Sequence, residues 1–152
     1  MNKTNLIRYL FAYRLIILFV AVFIVGPSTS LGDTNRYLEK DPVSVYQEVG
    51  FNFLIGATSL TDFLVGTVQV CVFRIELITH LIFSLLALVG IIKVIQAIRL
   101  GNSLRDKIFA LLLFSPSFNI WSSIAGKEAI CVFTMGILTA KLIRYFYGEK
   151  VR

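Results

Sequence analysis

Metal chemistry has little to work with in this chain. Its 152 residues include one histidine, His80, and two cysteines, Cys71 and Cys131, which show neither CxxC spacing nor a second histidine nearby. A zinc site therefore lacks ligands, and no metal or cofactor is expected. Charge is scarce too, at 16% of residues against about 25% in an ordinary soluble domain. That scarcity excludes a soluble globular protein. Disorder is excluded from the opposite side, because it requires low hydrophobicity and this chain is 57% hydrophobic and 13% aromatic. Internal repeats and low-complexity tracts are missing as well. What remains is a chain of mean hydropathy +0.79 whose solvent is the lipid bilayer.

A helix needs about 20 mostly apolar residues to cross about 30 Å of hydrocarbon. Four runs approach that length: residues 9–26, 75–98, 108–124 and 129–147. The first has Lys3, Arg8 and Arg14 ahead of its densest part and Gly26-Pro27-Ser28 behind it. A cleaved signal peptide shares that pattern, but the longer apolar run and the three later segments favour a retained span. In the third run, Ser115-Pro116-Ser117 must kink or break a helix unless other groups satisfy the freed backbone. In the fourth, Lys141 and Arg144 can snorkel beside the aromatic belt Tyr145-Phe146-Tyr147.

The segment 49–73 is nearly long enough to span but carries Asn52, Asp62 and Gln69. Charge bias decides its place. If it stays outside as interfacial or re-entrant helix, the cytoplasmic side receives Lys3, Arg8, Arg14, Lys93, Arg99, Arg105, Lys107, Lys141, Arg144, Lys150 and Arg152, as the positive-inside rule requires. The expected fold is thus all-α and polytopic, a single membrane domain over 1–152. It has four transmembrane helices, both termini in the cytoplasm, and a long outer loop, 27–74, carrying interfacial helix. The net charge of +6 then belongs to the membrane boundary. It implies membrane lipid as partner, and no nucleic acid.

Two clusters carry possible chemistry. In the outer loop, Gly32-Asp33-Thr34-Asn35-Arg36-Tyr37 places a carboxylate close to the lipid surface. There it can act as a general base toward an attacking hydroxyl, or simply cap a helix starting at Thr34. Between the third and fourth runs, Pro116-Ser117-Phe118-Asn119-Ile120-Trp121-Ser122-Ser123-Ile124-Ala125-Gly126-Lys127-Glu128 is unusually polar and describes an interfacial cavity wall or a loop. Lys127 begins the fourth span, where helix N–H groups favour an anion such as phosphate. Alternatively, Lys127, Glu128 and Trp121 only mark the membrane boundary. His80 lies within the second span, where a neutral imidazole bonded to a neighbouring helix is the expected state. Cys71 and Cys131 are expected to be free, buried thiols.

These two clusters resemble the N-terminal part of the polytopic, C-type (GT-C) glycosyltransferases and related polysaccharide-assembly proteins of bacterial envelopes. The resemblance implies that Asp33, an acidic residue in the first outer loop, is the catalytic centre, acting as base, and that the donor is a sugar on a polyprenyl phosphate or pyrophosphate. The stretch from Pro116 to Ala129 matches a recurring Pro-Ser, Trp-Ser-Ser, Gly-Lys-acid segment, with Lys127 and Glu128 as its ionisable pair. On this basis Tyr37, Trp121, Lys127 and Glu128 are substrate-binding candidates. Such enzymes carry more spans than this chain, so it corresponds to their front part. That implies a truncated or split product, a partner membrane chain completing the fold, or a small protein using the front of the fold for another purpose. The competing reading is a non-enzymatic four-helix module, either a complex subunit or an immunity protein to a pore-forming toxin. In either case the expected location is the inner membrane of a bacterium.

The topology is directly testable. An alkaline phosphatase reporter joined after Asp62 is expected to be active outside the cell, and one joined after Asn102 inactive. External activity after Asn102 would mean that 49–73 crosses the bilayer.

Overall fold

The computed structural model describes residues 2–26, 34–39, 41–49, 56–98 and 104–148. These form helices and short turns, with no strand among the described residues. Helix α1 (Lys3–Val20) starts where the Asn2 side chain accepts from the Thr4 N–H, and it continues as a π-helical stretch over Ala21–Val25. Three short helices follow: α2 (Thr34–Glu39), α3 (Pro42–Val49) and α4 (Ala57–Cys71). The long α5 (Glu76–Ala97) leads to α6 (Leu104–Leu113), α7 (Pro116–Ser123) and α8 (Lys127–Phe146).

Three helices are long and apolar enough to cross a membrane: Lys3–Val25, Glu76–Ala97 and Lys127–Phe146. The protein is therefore an all-helical membrane protein. The expected third span over 108–124 is not one helix. Pro116 has no N–H to continue a ladder, and the run divides at Phe114 and Ser115 into α6 and α7. Helix α4, with 15 residues, covers only about 22 Å at 1.5 Å per residue. It packs on α2 and α3 through a face that includes Thr61, Asp62 and Val65.

Side-chain pairings fix the directions. Lys3 Nζ donates to the Gln96 carbonyl at 3.0 Å, and Arg14 Nη2 to the Ser84 carbonyl at 3.3 Å. Partner numbers fall along α5 as they rise along α1, so the two run antiparallel. Between α5 and α8 the numbers rise together. Phe83 and Ala87 cluster with Ala125 and Ala129, and Gly90 meets Val132, Phe133 and Gly136. These two helices are therefore parallel and share the most extensive interface of the fold. A parallel pair requires the chain to return from the end of α5 to the start of α8. Helices α6 and α7 make that return, about 27 Å of rise between them at 1.5 Å per residue. The start of α1 and the end of α8 consequently lie at the same end of the bundle.

Glycine makes the α5·α8 interface possible. A Cβ on Gly90 would lie 2.6 Å from the Val132 carbonyl oxygen and 2.7 Å from Phe133 Cα. One on Gly136 would lie 2.6 Å from the Gly90 carbonyl group. Lipid-exposed helices gain little from the hydrophobic effect, so backbone proximity and van der Waals packing hold them together. Gly90→Val or Gly136→Val should lower unfolding free energy in a detergent titration by at least about 2 kcal/mol through overpacking. Leu138→Val, on the exposed face of α8, should change it by less than about 0.5 kcal/mol. Equal losses would remove the special role of this crossing.

Candidate functional site

Arg14 is the twelfth of the 23 residues in Lys3–Val25 and is only 2% exposed. It does not stand at the cytoplasmic flank where positive-inside counting places it. It occupies the inward stripe Leu6, Leu10, Arg14, Ile17, Leu18, Ala21, one face at helical spacing. Its Nη1 donates to Asn119 Oδ1 at 3.2 Å and Ser122 Oγ at 2.9 Å. Its Nη2 donates to the Ser122 carbonyl at 2.7 Å and the Ser84 carbonyl at 3.3 Å. Among the described residues these acceptors are all neutral. A charged arginine at mid-membrane costs about 2.5–3.5 kcal/mol on insertion scales, and hydrogen bonds to a charged group return about 1.5–3 kcal/mol each. The carbonyl of Ser122 belongs to the last turn of α7, so the cation also faces the negative end of that helix dipole.

Asn119 connects the two halves of the broken return. Its Oδ1 takes the bond from Arg14, while its Nδ2 donates to the Leu113 carbonyl at 2.7 Å and the Ser115 carbonyl at 2.9 Å. The Leu113 carbonyl is released by the break, and the Ser115 carbonyl also accepts the Asn119 N–H at the start of α7. Three polar residues of PSFNIWSS are thus turned inward: Asn119, Ser122 and Ser123 are fully buried, while Ser117 is exposed. Two buried polar atoms, Arg14 Nε and Ser123 Oγ, have no partner among the described residues.

Beyond α7 the chain runs irregularly through Ile124, Ala125 and Gly126. The Ala125 N–H donates to His80 Nδ1 at 2.9 Å. An Nδ1 that accepts is unprotonated, so the imidazole takes the neutral role expected of it, with the backbone of a buried irregular stretch, rather than a neighbouring helix, as its partner. Ile124 packs with Ala21 and Val25 of the π-helical stretch.

The sequence candidates fall around this irregular corner. Tyr37, on α2, is 1% exposed and packs with Ala125 and Ala129. A Cβ on Gly126 would lie 3.7 Å from the Tyr37 ring and 3.0 Å from Glu128 Oε2. Tyr37 and Glu128 are therefore brought together at Gly126. Lys127 is exposed at the first position of α8, and Trp121, 43% exposed, projects from α7. Arg36, beside Tyr37, pairs with Asp62 of α4 at 3.7 Å. Asp33 lies outside the described residues; Thr34, which follows it, is buried. Cys71 and Cys131 are free but exposed rather than buried. Arg14 was missed as a site residue, although its place in the Leu6, Leu10, Arg14 register was a signal that could have found it.

No family model, curated protein or solved structure matches the chain. What the arrangement can do rests on its own geometry. The corner offers an exposed ammonium at a helix N-terminus, a carboxylate beside it, and an exposed indole on the adjoining helix.

His80→Leu leaves the buried Ala125 N–H without its acceptor and should cost about 1–3 kcal/mol, with faster amide exchange at 124–126 by mass spectrometry. Thr79→Val removes only a bond to the Ile75 carbonyl within its own helix and should leave that exchange unchanged. Unchanged exchange in His80→Leu would show that the bond does not hold the corner.

Proposed function

We propose that this chain is a bacterial inner-membrane protein built like the front part of the GT-C glycosyltransferases and polysaccharide-assembly proteins, and that it handles a sugar carried on a polyprenyl phosphate. The observation that carries the reading is the meeting of Tyr37 with Gly126 and Glu128. Two sequence clusters about 90 residues apart, each singled out on chemical grounds, share one corner. In this reading the corner faces outward and both termini are cytoplasmic, with α6 and α7 as a broken third crossing among four. Lys127 holds the donor phosphate, using the positive end of the α8 dipole. Asp33, directly before α2 in sequence, serves as general base toward the acceptor hydroxyl. Trp121 stacks on the sugar. Buried Tyr37 shapes the corner from beneath, and Glu128 orients the donor from the first turn of α8.

A second reading, a non-enzymatic subunit or immunity protein, is favoured by one observation. Asn119 and Ser122 spend their polar atoms on Arg14 and on internal carbonyls, so a structural demand explains much of the polar segment. A partner membrane chain would then use helix surface alone.

The readings diverge at Lys127. Binding of polyprenyl phosphate to purified protein in neutral-lipid nanodiscs should weaken at least about tenfold in Lys127→Gln, equivalent to about 1.4 kcal/mol. The loss should persist at high salt, since a surface-charge effect fades with ionic strength. Arg74→Gln, which removes an exposed charge just before α5, should change binding about twofold or less. Equal losses in the two variants would reduce Lys127 to an interfacial anchor and favour the module.

A further inference from the structure

We propose that Arg14 is a positioning residue for the 124–129 corner. Through Ser122 it sets where α7 ends and hence where Lys127 and Glu128 emerge. The function assigned to the corner rests on the headgroup reading above; the positioning itself does not.

Helix α7 cannot place itself. It has 8 residues, its N-cap Ser115 makes no side-chain cap bond, and a turn at Phe114 and Ser115 separates it from α6. Its position must come from neighbours. Arg14 grips it at two points one turn apart, Asn119 and Ser122, and at Ser122 takes both Oγ and the carbonyl. The same guanidinium reaches the Ser84 carbonyl of α5, so one planar group references α7 to two long helices at once. Only Ser123, Ile124, Ala125 and Gly126 separate Ser122 from Lys127. Displacement at Ser122 is therefore passed to the corner with little slack. Being 2% exposed, Arg14 does not itself touch a headgroup. It acts through the helix it holds.

Lysine cannot replace it. An ammonium is a point donor on a flexible stem, whereas the guanidinium presents a rigid fork that reaches Ser84 on one side and Asn119 on the other. Arg14→Lys keeps the charge and loses that span. This separates positioning from the mere presence of a cation.

Trp121 is the single tryptophan of the chain and sits on α7, so its fluorescence reports the depth of that helix. In neutral nanodiscs containing phosphatidylcholines brominated at successive acyl positions, wild type should show a defined depth of strongest Trp121 quenching. Arg14→Lys, with helix content by circular dichroism retained, should shift or broaden that profile and weaken polyprenyl phosphate binding at least about tenfold. Ser122→Ala, which keeps the fold's charge and removes one acceptor, should do both to a smaller degree. It carries the test if Arg14→Lys does not fold. Lys127→Gln should weaken binding with the Trp121 profile unchanged. A wild-type profile in both Arg14→Lys and Ser122→Ala would overturn the proposal. If wild type itself fails to bind polyprenyl phosphate, the headgroup reading falls and the quenching profiles alone decide the positioning role.

Discussion

A chain that breaks its helix inside a packed bundle must find partners for the backbone groups it buries there, since an unpaired buried polar group is costly. That constraint organises this protein. Pro116 interrupts the return from α5 to α8, and three side chains, one on α7 itself and two on other helices, answer the interruption. Asn119 binds the carbonyls at its start, Arg14 those at its end, and His80 the N–H of Ala125 beyond it. The buried polar residues of α1, α5 and α7 are intelligible as one arrangement once the break is taken as given. Arg14 and the break are mutually dependent. The cation is tolerable midway along an apolar helix because the end of α7 supplies oxygens, and α7 is held because the cation is there.

The parallel α5·α8 pair supplies the frame for this arrangement. Its closeness follows from Gly90 and Gly136, which let backbone meet backbone. Its parallel sense obliges the intervening chain to travel the depth of the bundle. A full-length helix could have done so. The broken one instead delivers an irregular turn at the head of α8, where Tyr37 of α2 closes over Gly126. The fold thus places a polar corner at the end of an otherwise apolar bundle.

Much of the fold was legible because bilayer thickness leaves few choices. The runs 9–26, 75–98 and 129–147 correspond to Lys3–Val25, Glu76–Ala97 and Lys127–Phe146, and Pro116 announced the break. Arg14 was only faintly legible as an interior residue. A basic residue near the start of an apolar run reads as a flank; its register with Leu6 and Leu10 points inward, but the oxygens that receive it, on Asn119 and Ser122, are more than 100 positions away. The same gap hid the use of PSFNIWSS: a cavity wall and a loop were both open from sequence, and in the fold Asn119 and Ser122 spend their polar atoms on Arg14 and on internal carbonyls. At the site, Lys127 and Trp121 were recognisable from helix-end and interfacial chemistry. The burial of Tyr37 required knowing that α2 folds back onto the corner, which no local pattern encodes.

Biosynthesis puts the partners of Arg14 on a clock. Its guanidinium is made first, the Ser84 carbonyl 70 residues later, and Asn119 and Ser122 only 105 and 108 residues later. At about 5–20 residues per second, Arg14 waits on the order of 5–20 seconds between leaving the ribosome and meeting the helix whose oxygens bind it. During that interval the charge has only headgroups, water or the insertion machinery for company. A helix made well before α7 therefore settles only after it.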